Sequence, residues 1–154
     1  MRTALELKIP PPLVALCVAT LMWLASFLLP PIEISAALGT SAALALALCG
    51  LALDLTGLVA FIRAKTTINP LRPTATAALV TTGPYRVTRN PMYLGMQLIP
   101  LGWAVFLSNL AALVVAPLFL LYITRFQIIQ EERVLTEKVG AAFTDYQLRV
   151  RRWL

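Results

Sequence analysis

The chain contains no histidine, and only 13% of its 154 residues are charged. The first absence removes Ser-His-Asp chemistry, histidine metal sites and any imidazole base. The two cysteines, Cys17 and Cys49, each sit within an apolar run. They resemble neither a disulfide framework nor a zinc site, and both read as membrane-buried thiols. Chemistry is left to carboxylates, Arg, Lys, Tyr, polar amides or a cofactor. The shortage of charge is equally restrictive. A soluble domain would carry about a quarter charged residues and be about half apolar. This chain is 59% hydrophobic, with mean hydropathy +0.80. A small fold leaves much of its surface in contact with solvent, so the solvent implied is lipid. The length suits one bundle rather than two domains.

Apolar runs divide the chain. Residues 13–29 are uncharged and follow Pro10, Pro11 and Pro12; as a helix they span about 25 Å, close to the hydrocarbon thickness. A secretory signal peptide is the rival reading, but the run is long for one and no A-x-A-like site follows. Residues 35–62 form the second run, whose one charge is Asp54, and Arg63 and Lys65 end it. Residues 63–91 break the pattern: they are rich in Thr and Pro and carry Arg72, Arg86 and Arg89. Such a segment cannot cross lipid with its backbone unpaired. The third run, 92–107, contains Pro100, and Ser108-Asn109 makes a turn. The fourth helix is expected over 110–138, with Pro117 inside it, leaving the membrane as it becomes charged. Gly140 stops it. Residues 141–154 read as an interfacial amphipathic helix, with Phe143, Tyr146, Val150 and Trp153 on one face.

Thirteen Lys and Arg residues are present. They precede the first run, separate the second from the third, or end and follow the fourth. The turns at 30–34 and 108–109 contain none. Four spans put all of them on one face, which the positive-inside rule makes cytoplasmic. Three or five spans would split them. The expected fold is therefore all-α: a single membrane domain of about four transmembrane helices, with both termini cytoplasmic, in a membrane of the bacterial inner type. The net charge of +6 is topological on this reading, and no nucleic-acid partner is expected. Oligomeric state is left open.

Polar residues concentrate on that same face. The sharpest string is Gly83-Pro84-Tyr85-Arg86-Val87-Thr88-Arg89-Asn90-Pro91-Met92-Tyr93-Leu94-Gly95. Gly83 and Pro84 set a turn, Pro91 suits the first turn of a helix, and Asn90 falls at or near its N-cap. The N–H groups there could hold a carboxylate; equally, the string could be a well-made interfacial helix start. A second string places Gln127 and Glu131 one turn apart, on one helix face. Glu131 could bind an ammonium, or the paired glutamates Glu131 and Glu132 could simply be solvated. Asp54 lies about 13 Å below the cytoplasmic end of its helix. An intramembrane acid is a functional candidate; the alternative is a carboxyl bonded to Thr56, a serine or a tyrosine.

Together these strings resemble a known family. G-P-Y-x-x-x-R-N-P-x-Y-x-G, then E-E-x-x-L, then a Phe/Tyr-x-x-Tyr tail, looks like the isoprenylcysteine carboxyl methyltransferases and the related phosphatidylethanolamine N-methyltransferases. The likeness covers about residues 79–154. It implies S-adenosylmethionine as cofactor and methyl donor, with contacts at Ala77, Ala78, Leu79, Val80, Tyr85, Asn90, Pro91, Met92, Tyr93 and Glu131. It also implies a membrane lipid or lipidated small molecule as substrate. In the eukaryotic carboxyl methyltransferases, histidines stand at the Ala77 and Asn90 positions, and a substrate-associated arginine at the Gln127 position. Here the substrate-binding candidates are Gln127 and the nearby Arg125. Loss of that arginine argues against assuming a prenylcysteine carboxylate.

Methyl transfer needs an in-line approach of nucleophile to the sulfonium methyl, so holding the reactants close supplies much of the rate. Without histidine, the catalytic candidates are Arg89, Glu131, Glu132 and Asp54. No metal site is expected. Two other readings compete: an NADPH-dependent reductase of steroid 5α-reductase type, and a non-catalytic scaffold or transporter subunit.

Overall fold

The computed structural model describes residues 8–65 and 79–154, and these are helical apart from their connections. Helix α1 (Pro11–Ala25) has Pro11 and Pro12 in its first turn, where a missing N–H costs no hydrogen bond. Helix α2 (Ala36–Arg63) starts at Ser35, whose side chain accepts from the Leu38 N–H at 3.3 Å. Helix α3 (Pro91–Leu107) opens on Pro91 and keeps Pro100 inside it. Beyond it, Leu110–Val139 runs as one apolar-to-polar stretch in several pieces. These are α4 (Leu110–Val115), α5 (Leu118–Ile123), a π-helical turn (Thr124–Ile128) and α6 (Ile129–Val139). Pro117, which has no N–H to continue α4, marks the first break. Helix α7 (Ala141–Arg149) follows Gly140, whose φ of 64° ends α6.

Two helices, Ala36–Arg63 and Leu110–Val139, are long and apolar enough to cross a membrane; Pro11–Ala25 and Pro91–Leu107 are shorter apolar helices. Large side chains such as Leu44, Leu48, Leu51 and Leu55 stay exposed along α2. That is wasteful in water but natural in lipid.

Helix α3 is the centre of the bundle. On one side it meets α2 in an antiparallel crossing made possible by glycine. A Cβ on Gly50 would lie 2.6 Å from the Gly95 carbonyl oxygen, and one on Gly102 would lie 2.8 Å from that of Ala43. Ala43, Gly50 and Gly57 recur every seven residues on α2, as Gly95 and Gly102 do on α3. A seven-residue repeat keeps one seam facing a partner as two helices coil, and small residues let the backbones approach. On its other side α3 packs against α1, α4 and α5 around Met22, Phe119 and Ile123, all fully buried. The indole of Trp103 donates to the Ala19 carbonyl at 3.1 Å. Buried Gln97 donates to the Ala116 carbonyl at 3.2 Å, beside the break at Pro117.

The two ends of the bundle differ. At one end, the Ile32 N–H donates to the Ser108 carbonyl. Asn109 there accepts from the Ala111 and Ala112 N–H groups and donates to the carbonyls of Ser26 and Leu29. Neither turn carries Lys or Arg. The described cations stand at or beyond the opposite end. Here the stretch before α3 and the C-terminal tail interlock: Thr88 pairs with Arg151 as an isolated parallel bridge, and the Arg89 N–H donates to the Arg151 carbonyl at 2.9 Å.

That pairing shortens the last helix relative to the expectation of 141–154. The chain turns extended at Val150 so that Arg151 can meet Thr88. The apolar face of α7 is covered by protein: Phe143, Tyr146 and Val150 cluster with Leu79, Leu135 and Val139. Trp153 leaves that face and packs beside the main core.

Candidate active site at the charged end of the bundle

The site begins with α3. Pro91 starts the helix and Asn90 stands at its N-cap, but the Asn90 side chain does not cap it. The Asn90 amide instead donates to the Arg152 carbonyl at 3.0 Å, where the Thr88 hydroxyl also donates at 3.1 Å. The first turn of α3 is left without a side-chain acceptor. The buried Tyr93 phenol in that turn donates to Glu131 Oε1 at 2.6 Å, joining α3 to α6. On the opposite side of α3, Gly95 backs directly onto the Asp54 carboxylate of α2; any Cβ there would overlap it. Asp54 Oδ1 is shut off from solvent and has no hydrogen-bond partner among the described residues.

The buried Tyr85 is close enough to feel both carboxylates. It belongs to a 3-10 turn, Gly83–Arg86. Its ring packs edge-on to Phe61 at 5.4 Å, and its hydroxyl comes within 3.6 Å of where a Gly57 Cβ would stand. Burial pushes the Tyr85 phenol above its usual range, and Tyr146, Glu131 and Asp54 push the same way. The Tyr146 hydroxyl donates to the Tyr85 carbonyl at 2.6 Å. Burial raises that phenol to about 12, against the opposing pull of the Arg89 guanidinium.

Two arginines of this end, Arg89 and Arg152, are engaged by Glu132. Arg89 reaches Glu132 Oε1 at 3.1 Å, and Arg152 takes both Glu132 oxygens, at 3.1 and 2.6 Å. That forked bond holds the Arg152 guanidinium above its ordinary pKa. The two adjacent glutamates therefore part company. Glu132 ties α6 to the tail and to the stretch before α3, whereas Glu131 faces Tyr93.

The residues singled out from sequence distribute as follows. Val80, Tyr85, Pro91 and Tyr93 are buried at this end, with Leu79, Asn90, Met92 and Glu131 partly so. Ala77 and Ala78, like Arg72, lie outside the described residues. Gln127 and Glu131, expected on one helix face, meet different partners. Gln127 sits in the π-helical turn and donates to the Ile9 carbonyl at 2.7 Å. Arg125 stacks near the Phe126 ring at 5.5 Å and lines an outward groove with Pro117, Leu120, Thr124 and Trp153. Among the described residues no three His, Cys, Asp or Glu side chains gather as metal ligands. Sequence reasoning missed Arg152, Thr88 and the glycine seam. The seven-residue glycine spacing was a usable signal; nothing local marks Thr88 or Arg152 as partners across more than sixty residues.

A sequence profile described as phospholipid methyltransferase matches residues 38–142. The chain belongs to the phospholipid methyltransferase family. It is also similar to an uncharacterized protein of Haemophilus influenzae, 43% identical over 63 residues, which is 41% of this chain and the whole of that protein. No solved structure matches. The matched span runs from the start of α2 into α7, so it holds Asp54, Tyr85, Tyr93 and Glu131. Family membership and the apolar helices make this a membrane methyltransferase of lipid-type substrates, and neither the reductase nor the scaffold reading is favoured. In this methyltransferase the π-helical turn just before Glu131 is one of those irregularities that concentrate at functional sites.

Proposed function

We propose that this protein transfers a methyl group from S-adenosylmethionine to a lipidic or amphipathic acceptor at the cytoplasmic face of the membrane, within a bundle of four spans. The observation that carries the reading is the Tyr93–Glu131 pair. It is a carboxylate held by a phenol at 2.6 Å, beside the buried Tyr85, while Arg89 and Arg152 are spent on Glu132. A water-poor carboxylate without a cation is costly. One that meets an ammonium is not, so the donor set fits the amino-acid end of the cofactor. Glu131 would pair with its ammonium. The N–H groups of the first turn of α3, left without a side-chain cap, would receive its carboxylate. Tyr85 and Tyr93 would flank its rings or sulfonium. When bound, the cofactor supplies an electrophilic methyl. The chain's own contribution is to orient that methyl and exclude water from it.

The cytoplasmic assignment rests on charge. The described Lys and Arg residues stand at the end where the candidate site lies, and the opposite turns have none, which the positive-inside rule reads as cytoplasmic. That arrangement lets a water-soluble cofactor approach from the polar end while an acceptor with an apolar tail reaches the site from within the bilayer.

The test is equilibrium binding of S-adenosylhomocysteine to the detergent-purified protein. Saturable binding is expected. Glu131→Gln should weaken it about 10- to 100-fold, the usual worth of a buried hydrogen bond to a charged group. Tyr93→Phe should weaken it by a smaller factor. Binding of NADPH in place of S-adenosylhomocysteine would overturn the proposal.

A further inference from the structure

The chain turns extended at Val150, and residues 151 and 152 are then held on two sides. On the first side is the stretch before α3. Thr88 pairs with Arg151 as a parallel bridge, and the Arg89 N–H donates to the Arg151 carbonyl at 2.9 Å. The Arg152 carbonyl receives both the Thr88 hydroxyl and the Asn90 amide. On the second side is α6, where the Arg152 guanidinium forks onto Glu132. Each hold adjoins one half of the Tyr93–Glu131 pair. Thr88, Arg89 and Asn90 lead directly into the first turn of α3, which contains Tyr93, and Glu132 follows Glu131 in α6. The extended segment therefore joins the same two elements that the Tyr93–Glu131 hydrogen bond joins.

The holds are unequal. Arg152 and Glu132 make a bidentate, charge-assisted pair. Arg89 reaches the same carboxylate at 3.1 Å, but its Nε and Nη1 are shut off from solvent and form no well-aligned hydrogen bond among the described residues. Buried donors without an acceptor are costly. Water admitted on opening would satisfy them, so the closed arrangement carries its own reason to release.

We propose that residues 150–152 form a clasp beside the cofactor site, locked by Glu132, which opens for the methyl donor to enter and for its product to leave. Glu132 is then a positioning residue. It acts through Arg152 and Arg89 on the rate of exchange and makes no contact with the cofactor. The proposal rests on the methyltransferase reading. A closed clasp keeps water from the sulfonium methyl, and openings of this kind set the turnover of many enzymes.

The experiment locks the clasp covalently. Thr88→Cys and Arg151→Cys are combined in the full-length chain with Cys17 and Cys49 replaced by alanine. Bridged segments lie about 4.8 Å apart, within the Cα range that a disulfide accepts. Loading and release of radiolabelled S-adenosylhomocysteine are timed in detergent, before and after reduction of the same protein. The oxidised form should load and release at least about 10-fold more slowly than the reduced form, with Kd moved by less than about 3-fold. Glu132→Gln in the parent should speed release at least about 5-fold. Oxidation of the cysteine pair in the Glu132→Gln chain should restore the slow rates. A residue that merely stabilised the fold would not give this separation of rates from affinity. Equal rates in the oxidised and reduced forms overturn the proposal, and that comparison needs no Glu132 variant to fold. Failure of the two cysteines to cross-link, or unchanged release from Glu132→Gln, also overturns it. Absence of S-adenosylhomocysteine binding to the parent removes the methyltransferase reading and the clasp with it, whereas binding at equal rates removes the clasp alone.

Discussion

The α2–α3 crossing can be challenged one glycine at a time. A Cβ on Gly50 would stand 2.6 Å from the Gly95 carbonyl oxygen and 3.2 Å from Leu98 Cβ. Neither the backbone nor a Cβ can swing aside, so α2 and α3 must separate by about 1 Å to restore ordinary contact. Overpacking of this kind costs about 1–3 kcal/mol, against which alanine recovers about 0.5–1 kcal/mol of helix propensity. Gly39 supplies the control. Its nearest neighbours would be Ser108 Oγ at 3.6 Å and Ile34 Cγ2 at 3.8 Å, so alanine there gains the propensity and meets only normal contacts. Gly57 is intermediate. Its Cβ would meet Met92 Cγ at 2.7 Å, but that side chain is flexible and can move away. The assay is thermal unfolding of the three alanine variants in one detergent. Gly50→Ala should lie about 2 kcal/mol below Gly39→Ala, a gap of roughly 4–8 °C in Tm for a chain of this size, with Gly57→Ala between them. Equal Tm values for Gly50→Ala and Gly39→Ala would refute the close crossing, and with it the placement of Asp54 against Gly95.

Asn109 caps α4 and binds two carbonyls at the end of α1, so Asn109→Ala should lower stability by about 1–2 kcal/mol, read by the same thermal assay. Tyr146→Phe removes the hydroxyl that holds the Tyr85 carbonyl at 2.6 Å. It should cost about 1 kcal/mol and weaken S-adenosylhomocysteine binding by roughly 5-fold, measured by calorimetry. Single cysteines at exposed Arg86 and Arg149, in a background with Cys17 and Cys49 replaced by alanine, should react with an impermeant maleimide from the same side of sealed vesicles. Labelling from opposite sides would break the roof over the site.

The sequence was legible where one dominant force acts locally. Hydropathy marks Ala36–Arg63 and the apolar part of Leu110–Val139 because lipid selects on composition alone. Proline and glycine mark ends for steric reasons, hence Pro91 opening α3 and Gly140 closing α6. The G-P-Y to N-P-x-Y string and the E-E pair were visible as motifs, but their internal division of labour was not. Glu131 and Glu132 are adjacent, and only the fold sends one to Tyr93 and the other to Arg89 and Arg152. Helical spacing put Gln127 on one face with Glu131. The π-helical turn that contains it is a tertiary compromise without a local signature, and there Gln127 serves Ile9. The last helix was read too long because periodicity continues through Val150 and Trp153, while the bridge from Arg151 to Thr88 is a long-range pairing that periodicity does not encode.

The two boundaries of the site are held by different physics. Its floor is the glycine seam, in which backbones approach because side chains have been removed, and that approach is governed by shape and insensitive to salt. Its roof is polar: Tyr146 on the Tyr85 carbonyl, Asn90 and Thr88 on the Arg152 carbonyl, and Glu132 between Arg89 and Arg152. Arg89 and Glu132 are only 12% and 14% exposed in their side chains, so salt screens that pair less than an ordinary surface one, though not completely. Ionic strength should therefore act on the roof before the floor, loosening Tyr85 while Asp54 remains against Gly95. Such a division suits an enzyme whose soluble cofactor must come and go through the polar end while its membrane-embedded side keeps its shape.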